Sequence, residues 1–436
     1  TQWAIADNES PSLSAMYIYE SSTDFFRTLY RGGAFALQSA LWWANTVHFE
    51  SFENVTPELV ERGANGFPVI EADDRSIADV DFYNDWTSHR QRDAFWYQVD
   101  GTRRASTTKA PVLLLAGWYD PFLQTQLDDF KALLGHPDAA VSMKSRLVIG
   151  PWGHAKNVVL PDGSTTMNFR FVSIANSFDW FDYHLNDRDA PKTAPVRIFV
   201  MGDNRWRDEQ TWPLPRAVDT KLFLQSGGNA HEPRGDGQLA LEALFDALPA
   251  DVFTYNPLNP VPTRGGAFMG PGTAIKPQNS IESRPDVLSY TSSPLAEDVE
   301  VTGYVRATLV VSTDAPSTDF TAKLVDVYPD GSAYNIADGI LRRTYDTNDQ
   351  PVSITIQLGA TSNVFKKGHQ IRLDVSSSNF PLFDRNPNTG TRIAYETRPV
   401  AALQKIHQGV STPSFIELPV VPDKGGVPLI RFHKRQ

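Results

Sequence analysis

Asp120 closes the apolar run PVLLLAGWY, and His154, 34 residues further on, closes SRLVIGPWG. An acid and an imidazole at the ends of two successive strand-like runs are two thirds of a hydrolase triad. The carboxylate would fix the imidazole tautomer, and the imidazole would take the proton of an attacking hydroxyl. Each residue also has a plainer explanation, since Asp-Pro is common turn punctuation and a single histidine in a Gly-Pro-Trp loop is more often a packing residue. Their shared strand-end setting separates them from His48, His89, His136, His184, His231, His369, His407 and His433. The nucleophile is the difficulty. The chain holds no G-x-S-x-G, no cysteine, no H-E-x-x-H and no S-x-x-K at a helix start.

The elements around the pair explain how they could meet. PVLLLAG reads as a strand, FLQTQLDDFKALLG as an amphipathic helix and SRLVIGPWGH as a second strand, which together form a βαβ unit with parallel strands. Parallel neighbours end at one edge of the sheet, where open α/β folds keep their chemistry. SIANSFDWFDYHLN follows as a helix and PVRIFVMG as a third strand. Upstream, residues 1 to about 100 read as helical and aromatic-rich with no intervening strand. Gly32-Gly33 interrupts the pattern, and TPELVERGANG is a short helix with Thr56 as N-cap and Glu58 in its first turn. Beyond about residue 213 nine or ten short alternating runs replace the helices, the pattern of a jelly-roll β-sandwich. YNPLNPVPTRGG and the Gly-Pro stretch through Pro277 are expected to be long surface loops.

Composition narrows the partners. The 436 residues carry a net charge of −11, with 41% apolar and 21% charged side chains, enough for two or three domains with filled cores. That acidity, without clustered Lys and Arg, argues against a nucleic-acid partner. No apolar run reaches the roughly 18 residues a membrane span needs. The lack of cysteine removes disulfides and thiolate metal sites.

AGWYDPF, VIGPWGH, STDFTAKLVDVYPDG and SSSNFPLFDRNPNTG occur in this order and resemble the cocaine esterase and X-Pro dipeptidyl-peptidase family of serine hydrolases. The resemblance covers nearly the whole chain, and four ordered motifs are far more specific than any one of them. It implies an α/β plus all-β fold: a partial α/β-hydrolase sheet (1–22 and 105–213) with a helical cap (23–104), followed by a jelly-roll β-sandwich (214–436). It assigns Asp120 and His154 to catalysis, with Phe122, Trp42, Trp43 and Phe268 around a substrate pocket. An apolar pocket of that kind favours a bulky acyl or aromatic ester. The family's elbow resembles G-x-S-Y-x-G and is followed by a Thr-Gln-Trp-like segment. This chain begins TQW, so the serine and oxyanion hole are expected upstream of Thr1 and the chain as it stands is expected to be inactive. Its strand edges, without upstream neighbours, would favour aggregation.

The expected partner is a small acyl ester or amide, with no cofactor, metal, nucleic acid or membrane; a homodimer is left open, as is the compartment, with the cytoplasm favoured. A second expectation, from a different class, is a non-catalytic carbohydrate-binding or interaction protein using the jelly roll.

Overall fold

The computed structural model describes residues 2–7, 12–154, 157–165, 169–186, 188–189, 194–231, 235–243, 248–345, 349–422 and 430–433. Five strands form one sheet in the spatial order β1 (Met16–Tyr19), β2 (Val112–Tyr119), β3 (Arg146–Gly153), β4 (Val196–Val200) and β5 (Arg205–Glu209). β1 to β4 run parallel and β5 returns antiparallel. Every residue of β2 is buried, as an uninterrupted VLLLAGWY run requires when both faces are covered. Leu123, Leu127 and Phe130 of helix Leu123–Leu134 pack with Val112, Leu114 and Ala116 on one face. On the other, Phe169, Val172 and Trp180 of helix Phe169–Leu185 meet Leu113, Leu115 and Val148.

Two of these strands differ from the sequence reading. The stretch before residue 100 is not purely helical: MYIY is β1, paired with β2 through Met16–Val112 to Tyr19–Leu115. Four residues are too few for a period to emerge beside so many aromatic neighbours. RWRDE, with its single buried glutamate, is β5, whose polar pattern suits an edge.

Helices Phe25–Leu29, Leu37–Phe49 and Pro57–Ala64 lead the cap. Thr56 is the N-cap of the third, its hydroxyl accepting from the Leu59 amide at 3.4 Å. Gly32-Gly33 turns a two-residue hairpin, Tyr30–Arg31 against Ala34–Phe35, with φ of 52° and 83°. A Cβ on Gly32 would lie 1.9 Å from the Ile340 carbonyl oxygen, so glycine lets the cap touch the β-rich half backbone to backbone.

Among the described residues, eleven strands between Val218 and Val421 form the jelly roll. Residues 256–278, expected as surface loops, instead run between this half and the cap. Val261, Phe268 and Met269 are buried there. The loop's polar groups find partners inside: the Met269 amide donates to Ser39 Oγ at 3.1 Å and the Val261 amide to Ser378 Oγ at 2.9 Å. No helix among the described residues is long and apolar enough to cross a membrane.

A buried ion network joins cap and jelly roll. Asp384 accepts from the Phe35 amide at 2.8 Å and pairs with Arg90 at 2.9 Å and Arg342 at 2.9 Å. Arg342 also holds Asp319 through two hydrogen bonds of 2.8 and 2.7 Å. Burial works to raise the Asp384 carboxyl, but the two guanidiniums outweigh it and hold the group below its ordinary range. Removing one member strands buried charge. Asp384→Asn is therefore expected to destabilise the protein by about 3–5 kcal/mol, measured by urea unfolding, with the Arg90 to Phe35 region gaining proteolytic sensitivity first.

Candidate active site

β2 and β3 are paired so that Gly117 faces Gly150 and Tyr119 faces Gly153. Three steps on β3 oppose two on β2, so β3 carries a bulge in its Gly-Pro-Trp segment, where proline has no amide to give the ladder. The ring of Trp152 folds over Gly150, and the Trp152 carbonyl oxygen would lie 2.4 Å from a Cβ on Gly117. Both glycines are therefore required for this close approach. With Tyr119 opposite Gly153, the next residues on the two strands are Asp120 and His154.

The structure brings those two together. Asp120 Oδ2 accepts from His154 Nδ1–H at 2.7 Å. Its other oxygen accepts from the Phe122 amide at 2.7 Å, an Asx turn that starts helix Leu123–Leu134. The carboxyl side chain is fully enclosed while the imidazole is 25% exposed. A fixed acid thus holds one nitrogen of a partly exposed ring, the geometry of a general base. Phe122 lies beside the base, with its ring centroid 5.6 Å from that of His154.

The other expected pocket residues are placed apart from this pair. Trp42 is buried in the cap core and supports Gly270, where an added Cβ would meet its ring at 2.8 Å. Trp43 points outward, 38% exposed, with the Phe52 ring 6.4 Å away. Phe268 is enclosed by Ala34, Ile340, Leu382 and Phe383. None of these aromatics, nor Phe122, lines the cavity of about 440 Å³ that opens beside Asp120; its polar lining includes Arg27, Arg31, Gln124, Asp128, Asn335 and Asp338. Burial lowers the Arg31 guanidinium against the nearby charges of Asp338 and Asp120. Thr1 lies outside the described residues. His184, read as structural, sits in helix Phe169–Leu185 with its ring 4.2 Å from Trp180, its imidazole pushed down to about 4 mainly by burial.

Sequence reasoning missed Glu20. It follows β1 as Asp120 follows β2, and its Oε2 lies 3.7 Å from His154 Nδ1. The signal was MYIY ending in an acid, a short copy of the LLLAGWY-Asp pattern. Glu20, Asp120 and His154 form a group whose ligand atoms lie within 4.8 Å of one another. Within the set Asp120 holds Nδ1 by a hydrogen bond, while Glu20, at 3.7 Å, approaches the same nitrogen through charge.

Comparisons with known proteins agree with this layout. Residues 1–156 match the model of the X-Pro dipeptidyl-peptidase (S15 family), and residues 189–417 match that of the X-Pro dipeptidyl-peptidase C-terminal non-catalytic domain. The cocaine esterase of Rhodococcus sp. (strain MB1 Bresler) is 36% identical over 469 residues, covering 97% of this chain and 79% of the esterase. An aminopeptidase from a marine sediment Thaumarchaeota archaeon superposes with a TM-score of 0.78 at 22% identity, covering 96% of this chain and 74% of that one. An α-amino acid ester hydrolase gives 0.76 at 22% identity with the same coverages. The two structures establish the shared fold: an α/β-hydrolase followed by a jelly roll.

Asp129 in helix Leu123–Leu134 anchors the segment after Glu20, accepting from the Thr23 amide at 3.0 Å and hydroxyl at 2.5 Å. Burial pushes its carboxyl up to about 7, outweighing those hydrogen bonds. A carboxyl raised on folding contributes most below its unfolded value near pH 4, and its contribution is lost as pH rises through about 7. Thermal melts should therefore show the wild type losing stability relative to Asp129→Asn between pH 4 and 7, by on the order of 3–4 kcal/mol.

Proposed function

The chain belongs to the cocaine esterase and X-Pro dipeptidyl-peptidase family of serine hydrolases, and from that membership we propose that it hydrolyses small acyl esters or amides through an acyl-enzyme. His154 is the general base, Asp120 holds its imidazole through Nδ1, and Nε2 exchanges the proton. The observation that carries this reading is the 2.7 Å contact between the enclosed carboxylate and the half-open imidazole. In acylation, a serine hydroxyl attacks the carbonyl carbon while its proton passes to Nε2, and the carbonyl electron pair moves to oxygen. In collapse, that pair returns, the bond to the leaving alkoxide or amine breaks, and Nε2–H protonates the leaving group. Water repeats the sequence to release the acid. Phe122, beside the ring, is the proposed apolar contact for the acyl group.

The serine and the oxyanion donors are proposed to lie upstream of Thr1, since residues 1–436 hold no G-x-S-x-G elbow. Residues 1–436 alone are then inactive. Treating the full-length protein with a serine-directed phosphonate tests this: one modified serine in an elbow preceding Thr1 is expected. Labelling of a serine within 1–436, or ester turnover by that chain alone, would refute the assignment.

In the full-length enzyme, Asp120→Asn and His154→Ala should each lower kcat by roughly 10³- to 10⁵-fold. Their melting temperatures should stay near that of the wild type. A loss confined to KM would sink the roles given to the pair.

A further inference from the structure

Glu20 is a carboxylate that the mechanism above does not use. β1, β2 and β3 are adjacent and parallel, so they deliver Glu20, Asp120 and His154 to one edge. The Glu20 amide extends the ladder by donating to the Leu115 carbonyl at 2.9 Å, yet its φ is 45°, a left-handed conformation unfavourable for glutamate. That turn sends the side chain inward. It is fully enclosed, and Oε2 approaches the same Nδ1 that Asp120 holds, at 3.7 Å against 2.7 Å.

We propose that Glu20 is a positioning residue for acyl transfer: a second carboxylate that stabilises the imidazolium of His154. Its part in turnover rests on the acyl-transfer reading; its effect on the charge of His154 does not. With a neutral ring, two enclosed carboxylates repel across it. When the serine proton reaches Nε2, the same pair becomes two attractions, so stabilisation grows toward the transition state. The transferred proton stays on Nε2 until the leaving group takes it. Described groups near the cluster include Tyr17 in β1, kept neutral chiefly by burial, Arg31 from the cap hairpin, whose cation acts on Asp120, and Asp338, which faces Arg31 in the same cavity. Arg31 opposes ring protonation, which makes the second carboxylate more consequential. Phe122 contributes a ring and no charge.

The test follows the His154 ring by NMR titration in the full-length protein and in E20Q. Removing one neighbouring negative charge should lower the ring's midpoint by roughly one pH unit. A base works in its neutral form, so the acid limb of kcat/KM should move to lower pH by the same amount, with a plateau reduced several-fold. A wild-type midpoint in folded E20Q overturns the proposal. If E20Q does not melt cooperatively, E20N is titrated in its place, since asparagine tolerates the left-handed backbone, and the same criterion applies. A lowered midpoint without phosphonate labelling would keep the charge effect and remove the acyl-transfer reading. Labelling with an unmoved midpoint would do the reverse.

Discussion

β2 and β3 run parallel through a bulge, with Tyr119 opposite Gly153, and this register decides where the chemistry can be. A side chain one step past either strand end emerges at one edge, so Asp120 and His154 meet without a long loop to order. The bulge is what brings their counts level: were the extra residue of Gly-Pro-Trp paired regularly instead of bulged, His154 would emerge a step beyond Asp120 and on the other face. Gly117 and Gly150 are the cost of that arrangement, because the folded-back Trp152 leaves no room for a Cβ at either. Sites built on strand ends in this way lose little entropy when the acid orients the base.

A second constraint is that the cap and the jelly roll share a core with this sheet's surroundings. Asp384 lies in the β-rich half and takes its partners from Phe35 and Arg90 of the cap. Arg385, its neighbour, reaches across to the carbonyls of Ala64 and Gly66 and lies over the rings of Phe67 and Phe380 at 4.2 and 4.5 Å. Such pairing fixes the hairpin that carries Arg31, and hence one wall of the cavity beside Asp120. The jelly roll thus contributes Asn335 and Asp338 to the surroundings of the acid as well as packing against the cap.

What the sequence discloses and what it hides follow from length and pattern. VLLLAGWY and RLVIGPWG are uninterrupted buried runs, so their strands, the helix between them and the meeting of Asp120 with His154 were legible. MYIY was not: its four residues, set among aromatics, carry no usable period, and Glu20 was lost with it. The surroundings of the aromatic residues expected around a pocket were not legible either. Trp42, Trp43 and Phe268 are chemically suited to line an acyl site, but their surroundings are set by contacts distant in sequence. Gly270 covers Trp42, and Leu382 with Phe383 encloses Phe268. The 256–278 loop looked solvent-facing because proline and glycine punctuate it, yet side-chain partners such as Ser39 and Ser378 satisfy its amides inside.

Helix Leu123–Leu134 is the common reference for both carboxylates of the cluster. Asp120 begins its first turn through the Phe122 amide. Further along, Gln126 donates to the Leu115 carbonyl at 3.1 Å, the group that also receives the Glu20 amide. Asp129 then grips Thr23, three residues past Glu20, and Asp24 pairs with Arg92 of the cap. One rigid element therefore indexes the acid at the end of β2 and the acid at the end of β1 to the same axis. A shift of this helix would move both carboxylates together relative to His154, which β3 holds. Distance to the imidazole is thus set by packing between helix and sheet, through Leu123, Leu127 and Phe130 against Val112 and Leu114, rather than by the freedom of either acidic side chain.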